Sequence, residues 1–229
     1  MAIMDRKEKV FEVENINHLK ENLLFLSKSK ENVILLDSNS KKNDYEFIFS
    51  YGKISELKSY DNSLEKLDNY IKLVDDWIFG FISYDLKDEI EDLKSNNLKY
   101  FDVPNLSFFQ PSTIWISDGI KLKALYFDEK ELFKDWREIN KIHKIFEKNK
   151  RNLNVELKGR LSKEEYIKKI KNIKNRIKMG DTYELNFCFD FFNDNTKINP
   201  ENTFKKLNKL TESPMSVYYK DKHFHILSS

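Results

Sequence analysis

The dipeptide Asp118-Gly119 stands between two apolar runs, Thr113 to Ile116 and Ile120 to Phe127. The tightest hairpin turns need positive φ at their central positions, and Asp-Gly supplies it readily. The second run, Ile-Lys-Leu-Lys-Ala-Leu-Tyr-Phe, opens by alternating apolar and polar residues, the period of a half-buried strand. An antiparallel pair is therefore expected near the middle of the chain. Val33 to Ser38 and Tyr45 to Tyr51 read as two further strands across a polar loop, and Leu106 to Phe109 as another. Trp77 to Tyr84 reads as an aromatic-rich strand, in which Gly80 marks a bulge or a close backbone approach.

Amphipathic stretches alternate with these strands. Leu57, Leu64, Leu67, Tyr70 and Ile71 predict a helix over at least the second half of Ile54 to Leu73. Glu129 to Lys150 carries a longer stripe of Leu132, Phe133, Trp136, Ile139, Ile142, Ile145 and Phe146. Ser162-Lys163-Glu164-Glu165 is a capping box, in which the serine hydroxyl and the glutamate satisfy two orphan backbone donors. Tyr166, Ile170, Ile173 and Ile177 continue that helix, and Gly180 is placed to end it in the left-handed conformation. The lysines of the same segment read as a solvated face. Thr182 to Phe192 then reads as an aromatic strand, and Asn199-Pro200 opens another helix. Met215 to Tyr219 and His223 to Leu227 flank the turn Lys220-Asp221-Lys222. The pattern is α+β, antiparallel sheets flanked by helices. The polar stretch Lys148 to Asn154 is the expected linker, dividing the chain into domains 1–154 and 155–229.

Composition removes several function classes. Forty Lys and Arg against 38 Asp and Glu leave a net charge of +2, which gives no field for nucleic acid or an anionic membrane. No apolar run approaches the roughly 18 residues of a spanning helix, and Met1 to Glu14 lacks the apolar core of a secretory signal. One cysteine permits no internal disulfide, consistent with the cytoplasm. Flanked by rings on an expected strand, Cys188 reads as a small buried hydrophobe. His223 and His225 share a strand face, but no third ligand lies near them in sequence, and no metal site is expected in this chain. The acidic cluster Asp85, Asp88, Glu89, Glu91 and Asp92 lacks the glycine-punctuated loop of a calcium site and reads as a solvated connector.

Three separated segments carry a resemblance. Trp77-Ile-Phe-Gly-Phe-Ile-Ser-Tyr-Asp85 resembles the W-x-F-G-[YF]-x-S-Y-D strand in the N-terminal half of chorismate-aminating synthases. Arg160-Leu-Ser-Lys-Glu-Glu-Tyr166, followed by Gly180-Asp-Thr-Tyr-Glu-Leu-Asn-Phe187, is similar to the helix and strand that open their chorismate-binding domain. The form containing Asn186 favours the aminodeoxychorismate synthase component I type over the anthranilate synthase component I type. The Trp77 to Asp85 strand argues against isochorismate and salicylate synthases, which share the binding domain. A non-catalytic half that binds an amino acid or a glutamine amidotransferase subunit is the alternative of another class. The resemblance implies replacement of the chorismate 4-hydroxyl by ammonia, with Mg2+ as cofactor and ammonia delivered by a glutamine amidotransferase subunit. Gly180, Tyr183 and Asn186 are the motif residues it places near chorismate. It also implies an amino-acid effector pocket. Leu35-Leu36-Asp37-Ser38 resembles the family's L-L-E-S, with Asp37 for Glu, and Tyr45-Glu46-Phe47-Ile48 resembles part of R-Y-S-F-I-G, with Asp44 for Arg. Ser213-Pro214-Met215 is similar to a third, proline-bearing segment. Ser38, Tyr45, Pro214 and Met215 are thus the candidate pocket residues. The family's Pro-Glu-Arg-Phe segment, catalytic lysine and histidine, and magnesium carboxylates are not found in this sequence. The chain is accordingly expected to be inactive alone, and an incomplete sheet is expected to self-associate.

Overall fold

The computed structural model of the chain describes residues 5–39, 44–91, 93–94, 98–141 and 155–229. Two compact units result: Met1–Lys148 with Pro200–Ser229, and Asn149–Asn199. In chain order the first unit holds β1 (Lys7–Glu12), α1 (Ile16–Leu26), β2 (Val33–Asp37), β3 (Phe47–Tyr51), β4 (Ser55–Ser59), α2 (Ser63–Val74), β5 (Phe79–Ile82), α3 (Lys87–Ile90), β6 (Leu106–Gln110), β7 (Thr113–Ser117), β8 (Lys121–Tyr126) and α4 (Glu129–Lys141). The second unit supplies β9 (Lys158–Gly159), α5 (Lys163–Met179) and β10 (Phe191–Phe192). The chain then returns to the first unit with α6 (Pro200–Thr211), β11 (Ser216–Lys220) and β12 (His225–Ser228).

The first unit has three layers. Its seven-stranded sheet runs β1-β8-β7-β3-β2-β11-β12, and a three-stranded sheet runs β4-β6-β5. Every pairing within them is antiparallel. Because successive side chains point to opposite faces of a strand, each central strand feeds two cores. Val33, Leu35, Phe47, Phe49, Trp115 and Tyr218 meet Leu19, Leu23, Leu132, Ile139 and Phe204 of α1, α4 and α6. Ile34, Ile48, Ile114, Ile116 and Tyr219 face the other way, toward Phe79 and Phe109 of the small sheet. Both faces of the large sheet are covered, so its central strands read as almost unbroken apolar runs rather than alternating ones.

The Asp118-Gly119 turn joins β7 to β8, with Gly119 at φ 92°. Asp118 Oδ1 accepts the N–H groups of Ile120 and Lys121, each at 2.8 Å. Gly80 is a close-approach glycine: a Cβ there would lie 2.0 Å from the Ser107 carbonyl oxygen and 2.7 Å from Phe108 Cα. Between Ile54 and Leu73 the helix begins only at Ser63, because Ser55–Ser59 pairs with β6 and has its backbone groups satisfied there. β1 and α1 lie outside the elements expected from sequence.

The compact units divide the chain differently from the expected 1–154 and 155–229. Residues 200–229 join the first unit because β11 pairs with β2, with Tyr218 opposite Leu35. Ile142, Ile145, Phe146 and the expected linker Lys148 to Asn154 lie outside the described residues. β12 pairs with β11 and stands at the edge of the sheet.

In the second unit the capping box forms. Ser162 Oγ accepts the Glu165 N–H at 3.1 Å, and Glu165 Oε2 accepts the Ser162 N–H at 2.9 Å. Gly180 ends α5 at φ 83°. The strand expected over Thr182 to Phe192 contracts to Phe191–Phe192, paired with Lys158–Gly159. A strand requires a backbone partner, and within 182–190 the described residues pair only Asp190, whose carbonyl accepts the Arg160 N–H at 3.0 Å. Cys188 is consequently exposed rather than buried. The rings of this segment pack on α5 instead, with Tyr166 5.6 Å from Phe187 and 5.2 Å from Phe189. Among the described residues no helix is long and apolar enough to cross a membrane.

Candidate functional site

Ser38, Tyr45, Pro214 and Met215 come together around one cavity of about 410 Å³, although the two pairs are far apart in sequence. The pairing of β2 with β3 and β11 accounts for this, since it sets the end of β2 beside the start of β3 and the turn preceding β11. Leu36, Phe47, Ile48 and Val217 add an apolar lining, and Asp37, Asp44 and Ser216 add polar groups. The cavity adjoins the small-sheet face of the large sheet, the face to which Ile48 belongs and against which Leu36 and Val217 pack.

Two adjacent side chains differ sharply in how they are used. Asp37 Oδ1 accepts Lys20 Nζ at 2.9 Å and the Asn39 N–H at 3.0 Å, while Oδ2 accepts Asn208 Nδ2 at 2.8 Å. Ser38 donates its N–H to the Glu46 carbonyl at 3.0 Å. Its hydroxyl is different: the residue is only 6% exposed, and Oγ has no hydrogen-bond partner among the described residues. A buried hydroxyl without a partner costs about 1–3 kcal/mol on mutational evidence. Ser38 lies in the cavity wall, with its hydroxyl buried just behind the surface. Tyr45 and Met215 are exposed, Met215 to 79%, and form the outer wall.

Gly180, Tyr183 and Asn186 belong to the second unit. All three are exposed, Tyr183 completely. Lys20, Asn39 and Asn208 were not foreseen. Asn39 had a usable signal, since asparagine after a strand often takes the left-handed conformation it adopts here at φ 50°. Nothing local singles out Lys20 or Asn208, whose contacts reach 17 and 171 residues along the chain.

His223 and His225 line a second cavity, of about 760 Å³, with Tyr60, Tyr100 and Phe101. Burial is the main cause holding the His225 imidazole below its ordinary pKa. Asp221, between β11 and β12, lies 2.7 Å from Lys58 Nζ and accepts the His223 N–H at 3.1 Å. Burial alone would raise its pKa, but these partners hold it below the ordinary carboxylate value. Within the acidic cluster, Glu89 accepts the Ser63 N–H at 2.7 Å and the Ser63 hydroxyl at 2.6 Å, tying α3 to the start of α2. Among the described residues no group of three or more His, Cys, Asp or Glu side chains gathers where it could hold a metal ion.

The family comparison bears on nearly the whole chain, with a match to the chorismate binding enzyme family over residues 14–229. The chain belongs to the chorismate-binding enzyme family. Among solved structures, this family member is similar to MenF, the menaquinone-specific isochorismate synthase from Escherichia coli. The two share 12% identity with a TM-score of 0.48, over 96% of this chain and 49% of that one. The chain thus spans about half the length of that solved relative. No match is found among curated proteins.

Proposed function

We propose that this member of the chorismate-binding enzyme family is part of an aminodeoxychorismate synthase component I, and that its Ser38 cavity holds an amino acid with an apolar side chain. The first half of the reading rests on the Trp77 to Asp85 strand and on the Gly180 to Phe187 segment with Asn186, within a chain of this family. The second half is carried by one observation, the buried and unpartnered Ser38 hydroxyl beside an apolar cavity. Phe47, Ile48, Pro214 and Met215 suit an indole, Ser38 Oγ bonds the ligand's polar end, and Asp44 attracts its ammonium group. The complete enzyme replaces the 4-hydroxyl of chorismate with ammonia from a glutamine amidotransferase subunit. Magnesium, when bound there, neutralises the substrate carboxylate. On this reading the part of this chain is to build the fold and the amino-acid cavity.

Two measurements test the reading. The product of the complete reading frame, given chorismate, Mg2+ and ammonium chloride, is expected to be 4-amino-4-deoxychorismate. Anthranilate would replace this reading with the anthranilate synthase one, and no amine product would remove both. Calorimetry of the 229-residue chain with L-tryptophan is expected to show one site per chain. Absence of heat at millimolar ligand would remove the amino-acid site.

A further inference from the structure

We draw no further inference here: the strongest candidate, the cleft of about 760 Å³ that Lys58, Tyr100, Phe101, His223 and His225 line beside the β11–β12 hairpin, opens along an edge strand of the large sheet, and nothing in the structure shows what covers it.

Discussion

Replacing Ser38 with alanine is expected to stabilise the free chain while weakening its ligand binding, a pair of effects with opposite signs. Ser38 is 6% exposed, and its hydroxyl lacks a partner among the described residues. Burying such a hydroxyl costs about 1–3 kcal/mol, and alanine removes the group that incurs the cost. The side chain lost is one oxygen atom beside an existing cavity, so the packing lost is small. A net gain of about 1 kcal/mol follows, or about 2–4 °C in Tm for a chain of this size. In the complex, the same hydroxyl makes a hydrogen bond worth about 0.5–1.5 kcal/mol, so its loss lowers affinity by roughly threefold to tenfold. Urea unfolding followed by circular dichroism measures the first effect, and calorimetry with L-tryptophan measures the second. Destabilisation of Ser38→Ala by more than about 1 kcal/mol would show that the hydroxyl has a structural partner. Unchanged affinity alongside the gain in stability would show that the ligand does not use it.

Three further perturbations probe the frame that carries the site. Gly80→Ala places a Cβ 2.0 Å from the Ser107 carbonyl, so β5 must move off β6, and urea unfolding is expected to show a loss at or above the upper end of about 1–3 kcal/mol. Asp135→Ala strips Lys30 Nζ of both carboxylate contacts at 2.7 Å, leaving it Glu131 at 3.4 Å and the Tyr51 ring, and takes away the acceptor of the buried Tyr51 hydroxyl. Because Lys30 keeps some solvent contact, the expected loss in equilibrium unfolding is toward the lower end of about 3–5 kcal/mol. Burial alone would raise the pKa of Asp76, but hydrogen bonds from Arg6 and Gln110 hold it below its ordinary value. The stability this carboxylate contributes is complete above the unfolded pKa of about 3.9 and is lost as pH falls through the depressed folded value. Unfolding across the acid range is expected to show a shallower decline in Asp76→Asn than in the wild type.

Local chemistry explains which features could be read without coordinates. The Ser162 capping box and the Gly180 cap depend on residues within a few positions of one another and form as expected. At Asp118-Gly119 only the glycine takes positive φ, and the hairpin closes at Ser117 opposite Leu122, a longer loop than the two-residue turn expected. β1 escaped because it is a charged edge strand in which only Phe11 is buried. α1 had a start signal in Asn15, whose side chain accepts the His18 N–H at 2.9 Å, but no glycine or proline marks its end at Leu26. The error at Thr182 to Phe192 has a different origin. Aromatic and β-type residues describe a pleated surface only when another strand is present to pair with, and composition cannot report whether that strand exists. The return of residues 200–229 to the first unit is equally invisible locally, since it depends on β11 finding β2 across the chain.

The candidate site shows how one strand end can serve structure and binding at once. Leu35 and Asp37 project from β2 toward the helix layer, while Leu36 and Ser38 project toward the small-sheet side, as strand alternation requires. Asp37 therefore meets Lys20 of α1 and Asn208 of α6, and both of its oxygens are engaged. Where the resemblance places a longer glutamate, the shorter aspartate is consumed in holding the wall. Ser38, one residue on, faces away from those partners and its hydroxyl is left over. The fixed neighbour is what makes the spare hydroxyl informative. With the backbone pinned at Asp37 and through the Ser38 N–H to the Glu46 carbonyl, the Ser38 hydroxyl is held buried at the cavity wall without a protein partner among the described residues.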